Sequence, residues 1–196
     1  PFGVKDRRPL EILESSSIDY EINKLGRKLD EEELLSMIED VSVLIAGTEP
    51  ITKRVLEQAK NLKLISRIGI GLDNVDLHTA KKLGVKVSYT PDAPAPAVSE
   101  LTIGLMISLM RSIQIANLKM HQGNWNRFFG KRFSHLTIGI IGIGRIGKRV
   151  IRHLSGFDCR EILVNDLIEK NDTLFPGQLK WVDKETIYKK CDIISL

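Results

Sequence analysis

The stretch Leu136-Thr137-Ile138-Gly139-Ile140-Ile141-Gly142-Ile143-Gly144-Arg145-Ile146-Gly147 decides the fold. The mostly apolar run over residues 136–141 is short and runs into glycine, the pattern of a strand buried on both faces. From Arg145 onward the apolar residues fall at Ile146, Val150, Ile151 and Leu154, the spacing of a helix with one covered side. Between strand and helix stands G-x-G-x-x-G, which gains meaning from that context. Gly142 permits the tight turn, Gly144 lets a pyrophosphate approach the backbone, and Gly147 lets the helix lie close to the strand. A helix that begins there offers unpaired N–H groups and the positive end of its dipole to phosphate. Gly142, Gly144, Arg145, Ile146 and Gly147 are therefore the candidate cofactor-binding residues.

Downstream, residues 161–165 read as the next strand, and Asp166 follows 19 residues after Gly147. An acid about 20 residues on is where a dinucleotide fold holds the adenosine ribose. A carboxylate there accepts hydrogen bonds from both ribose hydroxyls and repels a 2′-phosphate. Leu167 and Ile168 bring no arginine, so NAD is favoured over NADP. A strand near 180–182, a helix over 184–190 and a strand over 192–196 complete this block. The sequence ends in mid-sheet.

Upstream, strands and helices alternate. Residues 18–22 alternate apolar and polar as a strand does, followed by a helix over 30–39. Strands at 41–46, 62–68 and 85–89 enclose helices at 51–59 and 75–83. Such alternation predicts a parallel sheet covered on both faces. A further helix is expected near 8–14 with no strand before it, so the N-terminus reads as short by about one strand. Pro91, Pro94 and Pro96 make residues 90–97 a stiff, extended crossing. A long helix over 97–121 follows, apolar all round in its first half and hence expected to be buried. The fold class is α/β: a flavodoxin-like parallel-sheet substrate lobe over 1–95, then part of a Rossmann dinucleotide-binding domain over 96–196.

Bulk composition excludes several other classes. With 42% apolar and 28% charged residues the chain is ordinary for a compact soluble protein. Its 29 basic and 25 acidic residues are interspersed, and the densest basic run, 145–152, falls on one helix. No clustered footprint for nucleic acid is present. The strongest apolar run, 101–110, is half the length a membrane span needs, about 20 residues. No signal peptide is visible, and Cys159 and Cys191 form neither a disulfide framework nor a metal motif. Two reduced, buried thiols and a cytoplasmic setting are expected, with no metal, membrane or nucleic-acid partner.

Several stretches together resemble the D-isomer-specific 2-hydroxyacid dehydrogenase family, in its phosphoglycerate-dehydrogenase-like branch. They are Ser66-Arg67-Ile68-Gly69-Ile70-Gly71-Leu72-Asp73-Asn74-Val75-Asp76, then Tyr89-Thr90-Pro91-Asp92 with Ser99-Glu100-Leu101-Thr102. The glycine-rich segment 137–147 and Cys191-Asp192-Ile193-Ile194-Ser195-Leu196 complete them. The first stretch runs a strand into two glycines, leaving amides exposed at the carboxyl end of a parallel sheet, an anion-binding concavity. The resemblance implies that the amides of Ile70 and Gly71 hold a substrate carboxylate, while Arg67 supports that loop or reaches an acidic substrate. Asp73 and Asn74 are expected to fix the turn and cap the next helix.

The resemblance further implies hydride transfer between C2 of a small 2-hydroxy or 2-keto acid and the nicotinamide of NAD. It implies a homodimer formed through the nucleotide-binding domain, with the 101–110 helix and the 125–133 arm as interface. Relatives acting on phosphoglycerate carry a basic residue in the loop 46–50, and this sequence has none. The family's catalytic arginine, glutamate and histidine are expected beyond residue 196. His78, His121, His135 and His153 read as surface or packing residues, so no catalytic residue is expected in this chain and the fragment alone is expected to be inactive. A non-catalytic, corepressor-like NAD-binding relative is the alternative, and a formate- or phosphite-oxidising relative a weaker one.

Overall fold

The computed structural model describes residues 2–168 and 179–196, and the chain divides into two units, Pro1–Pro91 and Asp92–Leu196. The first carries helices α1 (Arg8–Ser15), α2 (Glu31–Met37), α3 (Lys53–Gln58) and α4 (Leu77–Lys82) and strands β1 (Val43–Ala46), β2 (Leu64–Arg67) and β3 (Lys86–Tyr89). The strands are parallel in the order β1-β2-β3, with Val43 opposite Leu64 and Leu64 opposite Lys86.

Three of these helices start at side-chain caps. Asp30 accepts from Glu33 N, Thr52 from Val55 N, and Asp76 from Thr79 N, each satisfying a donor that the first turn leaves over. Their apolar sides, with Leu34, Leu35, Val55, Leu56 and Ala80, bury Ala46 and Ile65 of the sheet.

Residues 18–22 form no strand in this structure. Ile18 and Tyr20 stand exposed, and the Tyr20 hydroxyl donates to Glu14 instead. Alternation alone does not make a strand, because each backbone N–H and C=O also needs a ladder partner.

The second unit holds α5 (Ala95–Met110), α6 (Ile113–His121), β4 (Thr137–Ile141), α7 (Arg145–Leu154), β5 (Glu161–Asn165), β6 (Leu179–Trp181), α8 (Lys184–Lys190) and β7 (Ile193–Ser195). All four strands are parallel, in the order β6-β5-β4-β7. The chain steps outward from β4 to β6 and then returns past β4 to place β7 on its other side. The carboxyl ends of β4 and β7 thus flank the switch point where open α/β sheets bind ligands.

The expected single helix over 97–121 is two helices bent by 66°. Ser112 takes a left-handed backbone conformation at φ 53°, which ends one helix and starts another. The first begins at Ala95, earlier than expected, because Pro96 sits in its first turn, where a missing N–H costs nothing. Nor is α5 buried all round. Ala95, Ser99, Ile103 and Met106 face inward against α7, while Leu101, Leu105 and Leu109 on the other side are exposed. No single described helix is long and apolar enough to cross a membrane. Cys159 and Cys191 are free thiols, half-buried rather than buried; desolvation pushes both above the ordinary thiol range.

Candidate functional site

The site at the carboxyl end of β4 is built from a turn and an uncapped helix. The Gly142 N–H donates to Asn165 O at 2.8 Å, tying the loop to β5, and Gly142 turns at φ 95°, which favours glycine. A Cβ on Gly147 would lie 2.0 Å from the Gly142 carbonyl oxygen, so only glycine lets α7 rest on the loop. Gly144 has no such neighbour: nothing lies within 4 Å of where its Cβ would be. That open side is the approach a ligand would use.

Gly144 is also the N-cap of α7 and supplies no side chain. The amides of Gly144, Arg145 and Ile146 have no partner among the described residues. Arg145, the first residue of the helix, is exposed, and its Nε donates to Asp92 Oδ1 at 2.6 Å.

Asp166 stands half-buried directly after β5. Its Oδ2 accepts from Ile143 N at 2.7 Å and its Oδ1 from Leu167 N at 2.6 Å. The acid singled out for ribose binding thus also clamps the glycine loop, a contact no sequence spacing discloses. Beside it opens a cavity of about 390 Å³ lined by Asn165, Asp166, Leu167, Trp181 and Val182. Trp181 and Val182 escaped the sequence reading. Their one signal was their place at the end of the strand next to that of Asp166. A second cavity, of about 300 Å³, is lined by Thr137, Arg160, Glu161 and Lys190 and belongs to the strands' amino ends, away from the glycine loop.

The first unit carries its own loop where β2 ends. The Gly69 N–H donates to Thr90 Oγ1 at 2.8 Å, and Thr90 N donates back to Gly69 O at 2.9 Å. The next two amides, of Ile70 and Gly71, have no partner among the described residues. Arg67 is 8% exposed. Its Nε donates to Asn74 Oδ1 at 3.3 Å and its Nη1 to Ile68 O, and it joins no ion pair among the described residues. The guanidinium therefore braces the loop while keeping an uncompensated positive charge beside it.

Asn74 works differently from expectation. Its Nδ2 donates to Glu49 O at 2.8 Å, pinning the loop 46–50 beside the glycine loop, and the helix cap is Asp76. Asp76 is held below the usual carboxylate range by its hydrogen bonds from the Thr79 N–H and hydroxyl. Glu49 is fixed in turn, its Oε1 accepting from Gly47 N at 2.8 Å.

The four histidines sit apart. His78 is exposed on α4 and His135 follows Phe133 in a short turn. His121 ends α6 with Nδ1 on Asn117 O, and His153 Nε2 lies 3.3 Å from Ser99 Oγ. Among the described residues none is hydrogen-bonded to a carboxylate, and no group of three or more His, Cys, Asp or Glu could hold a metal ion.

Residues 4–194 match the model of the catalytic domain of the D-isomer specific 2-hydroxyacid dehydrogenases. The chain is 37% identical over 179 residues to hydroxypyruvate reductase of Thermotoga maritima, covering 90% of this chain and 57% of that one. It is 37% identical to D-3-phosphoglycerate dehydrogenase of Methanocaldococcus jannaschii, over 86% of this chain and 33% of that one. It spans, then, from a third to rather more than half of these relatives. The D-lactate dehydrogenase of Aquifex aeolicus, solved with NAD and lactic acid, superposes with a TM-score of 0.83 at 22% identity, covering 98% of this chain and 58% of that one. That likeness shows the same flavodoxin-like and Rossmann α/β architecture. With the family model matched over nearly its whole length, the chain belongs to the D-isomer specific 2-hydroxyacid dehydrogenase family.

Proposed function

We propose that this chain supplies the NAD-binding and substrate-carboxylate-binding parts of a dehydrogenase that moves hydride between C2 of a small 2-hydroxy or 2-keto acid and nicotinamide. The observation that carries the reading is the uncapped start of α7, open at Gly144 and followed directly by a cation. Gly142, Gly144 and Gly147 shape the turn, and the amides of Gly144, Arg145 and Ile146 receive the pyrophosphate with the helix dipole behind them. Asp166 takes the ribose hydroxyls, and its negative charge disfavours a 2′-phosphate. Bound NAD supplies the hydride acceptor or donor, and the protein orients it. In the first unit the amides of Ile70 and Gly71 take the substrate carboxylate, with the Arg67 charge behind them. No proton transfer is assigned to the four histidines. Titration calorimetry of the chain tests this: NAD is expected to bind saturably at one site and NADP far more weakly. Absence of heat with NAD, or equal affinity for both, overturns the reading.

A homodimer goes with it. Leu101, Leu105, Leu109, Ile113, Trp125 and Phe129 give α5, α6 and the following segment a large exposed apolar surface, of the kind that a partner covers. Light scattering on an eluting column peak is expected to give twice the chain mass, and a monomer at high micromolar concentration would count against it.

A further inference from the structure

Arg145 is the first cation a phosphate would meet at α7, yet it is already engaged. Its Nε donates to Asp92 Oδ1 at 2.6 Å. Asp92 does not come from a loose tail. It stands between Pro91 and Pro94, whose rings fix the backbone, and its own carbonyl accepts from Ala95 N as the turn enters α5. The stiff turn holds this solvent-exposed carboxylate near the helix start. Both partners remain more than half exposed, with side-chain exposures of 54% and 72%, so the pair adds little to folding.

We infer that Asp92 is an internal counter-anion that acts through Arg145 to weaken pyrophosphate binding and so to speed release of the dinucleotide. The inference rests on the NAD reading. A pyrophosphate brings two negative charges to the amides of Gly144, Arg145 and Ile146, and the fixed carboxylate repels them while it holds the guanidinium. One opposing effect is that Asp92 orders the arginine before the ligand arrives. A single engaged nitrogen, with the rest of the fork free, orders the side chain only partly, so repulsion is the larger effect. Exposed charges are screened within about 10 Å at 0.1 M salt, so the effect must fade with ionic strength.

The test uses three probes that share adenosine and differ in the pyrophosphate: NADH, ADP-ribose and adenosine. Asp92→Asn is expected to tighten NADH and ADP-ribose by about fivefold at low salt, the scale of an exposed ion pair. That gain should shrink at about 0.3 M salt, with adenosine affinity unchanged throughout. Asp92→Glu keeps the charge and is expected to restore ordinary binding. A merely structural role would move adenosine together with the other two. Unchanged or weaker ADP-ribose binding by Asp92→Asn, or an equal shift for adenosine, overturns the inference while NADH binding by the unsubstituted chain keeps the dinucleotide reading. Absence of NADH binding by the unsubstituted chain overturns both.

Discussion

Helices α2 and α7 begin in opposite ways. At α2 the Asp30 carboxylate accepts from Glu33 N while Glu33 Oε2 accepts from Asp30 N, both at 2.9 Å. Glu31, Glu32 and Glu33 fill the first turn with acids, which suit the positive end of the dipole. At α7 the cap is a glycine, the first turn has no acid, and Arg145 and Lys148 put cations there. A helix selected for its own stability would not begin that way. The closed end is structure, and the open end has the form of a place kept for an anion.

The largest expected effect falls on the residue that lets α7 approach at all. Gly147→Ala puts a Cβ 2.0 Å from the Gly142 carbonyl oxygen, a backbone atom with no flexible side chain to yield. A loss of about 3 kcal/mol is expected, the upper range for overpacking. Chemical unfolding followed by fluorescence reads it, since both tryptophans, Trp125 and Trp181, belong to the second unit. A variant as stable as the parent would mean that α7 does not rest on its loop.

Gly144→Asp rebuilds α7 in the image of α2. Gly144 has φ −84° and empty space around its Cβ position, so the new side chain is accommodated. Stability should change by only a few tenths of a kcal/mol, as glycine and aspartate differ little as caps. NADH affinity, by contrast, is expected to fall about thirtyfold, close to 2 kcal/mol, because the amides acquire an internal acceptor and the ligand meets a fixed negative charge. Undiminished NADH binding would erase the distinction between the two helix ends.

These two positions were readable in the sequence because glycine spacing, strand pattern and helix period all pointed the same way. For the same reason α7, β5 and α8 fall on the expected residues 145–154, 161–165 and 184–190. Reading failed where a partner far along the chain decides. Ile18, Tyr20 and Ile22 alternate as a strand does, but a ladder is made by a neighbour. The break at Ser112 is a single backbone torsion in a sequence whose composition is helical on both sides. The expectation that Arg67 supports its loop or reaches an acidic substrate names no partner, and only the fold brings Asn74 and, through it, the loop 46–50 to the guanidinium.

Asp166 has one observed role, its contact with the glycine loop, and one proposed role at the ribose, and the comparison can separate them. Asp166→Ala removes an acceptor for Ile143 N and the charge beside the ribose position. NAD affinity is expected to fall about fifteenfold, near 1.6 kcal/mol, the low end for a lost hydrogen bond to a charged group, while NADP affinity holds or rises. Relaxed discrimination is the signature of the ribose role. An equal fall for both cofactors would leave Asp166 only as the clamp of the glycine loop.

The smallest effect belongs to the closed helix end and has the opposite dependence on conditions. Arg27 donates to Glu33 Oε1 at 2.6 Å and Oε2 at 2.8 Å. That hydrogen bonding, aided by the Asp30 N–H, lowers the Glu33 carboxyl to about 2 from an ordinary 4.5. Because the folded value is the lower one, the charged carboxylate adds stability that is complete above pH 4.5 and is lost as the pH falls through about 2. Glu33→Gln should therefore unfold more readily than the parent at pH 6, with the gap closing as the pH approaches 2. The gap is modest because the pair is solvent-screened. Circular dichroism of denaturant unfolding across that range reads it, and a gap that stays constant with pH would show that the carboxylate's charge does not hold the end of α2. NADH binding should be untouched at every pH where the protein is folded, since α2 has spent its positive end on its own side chains and α7 has not.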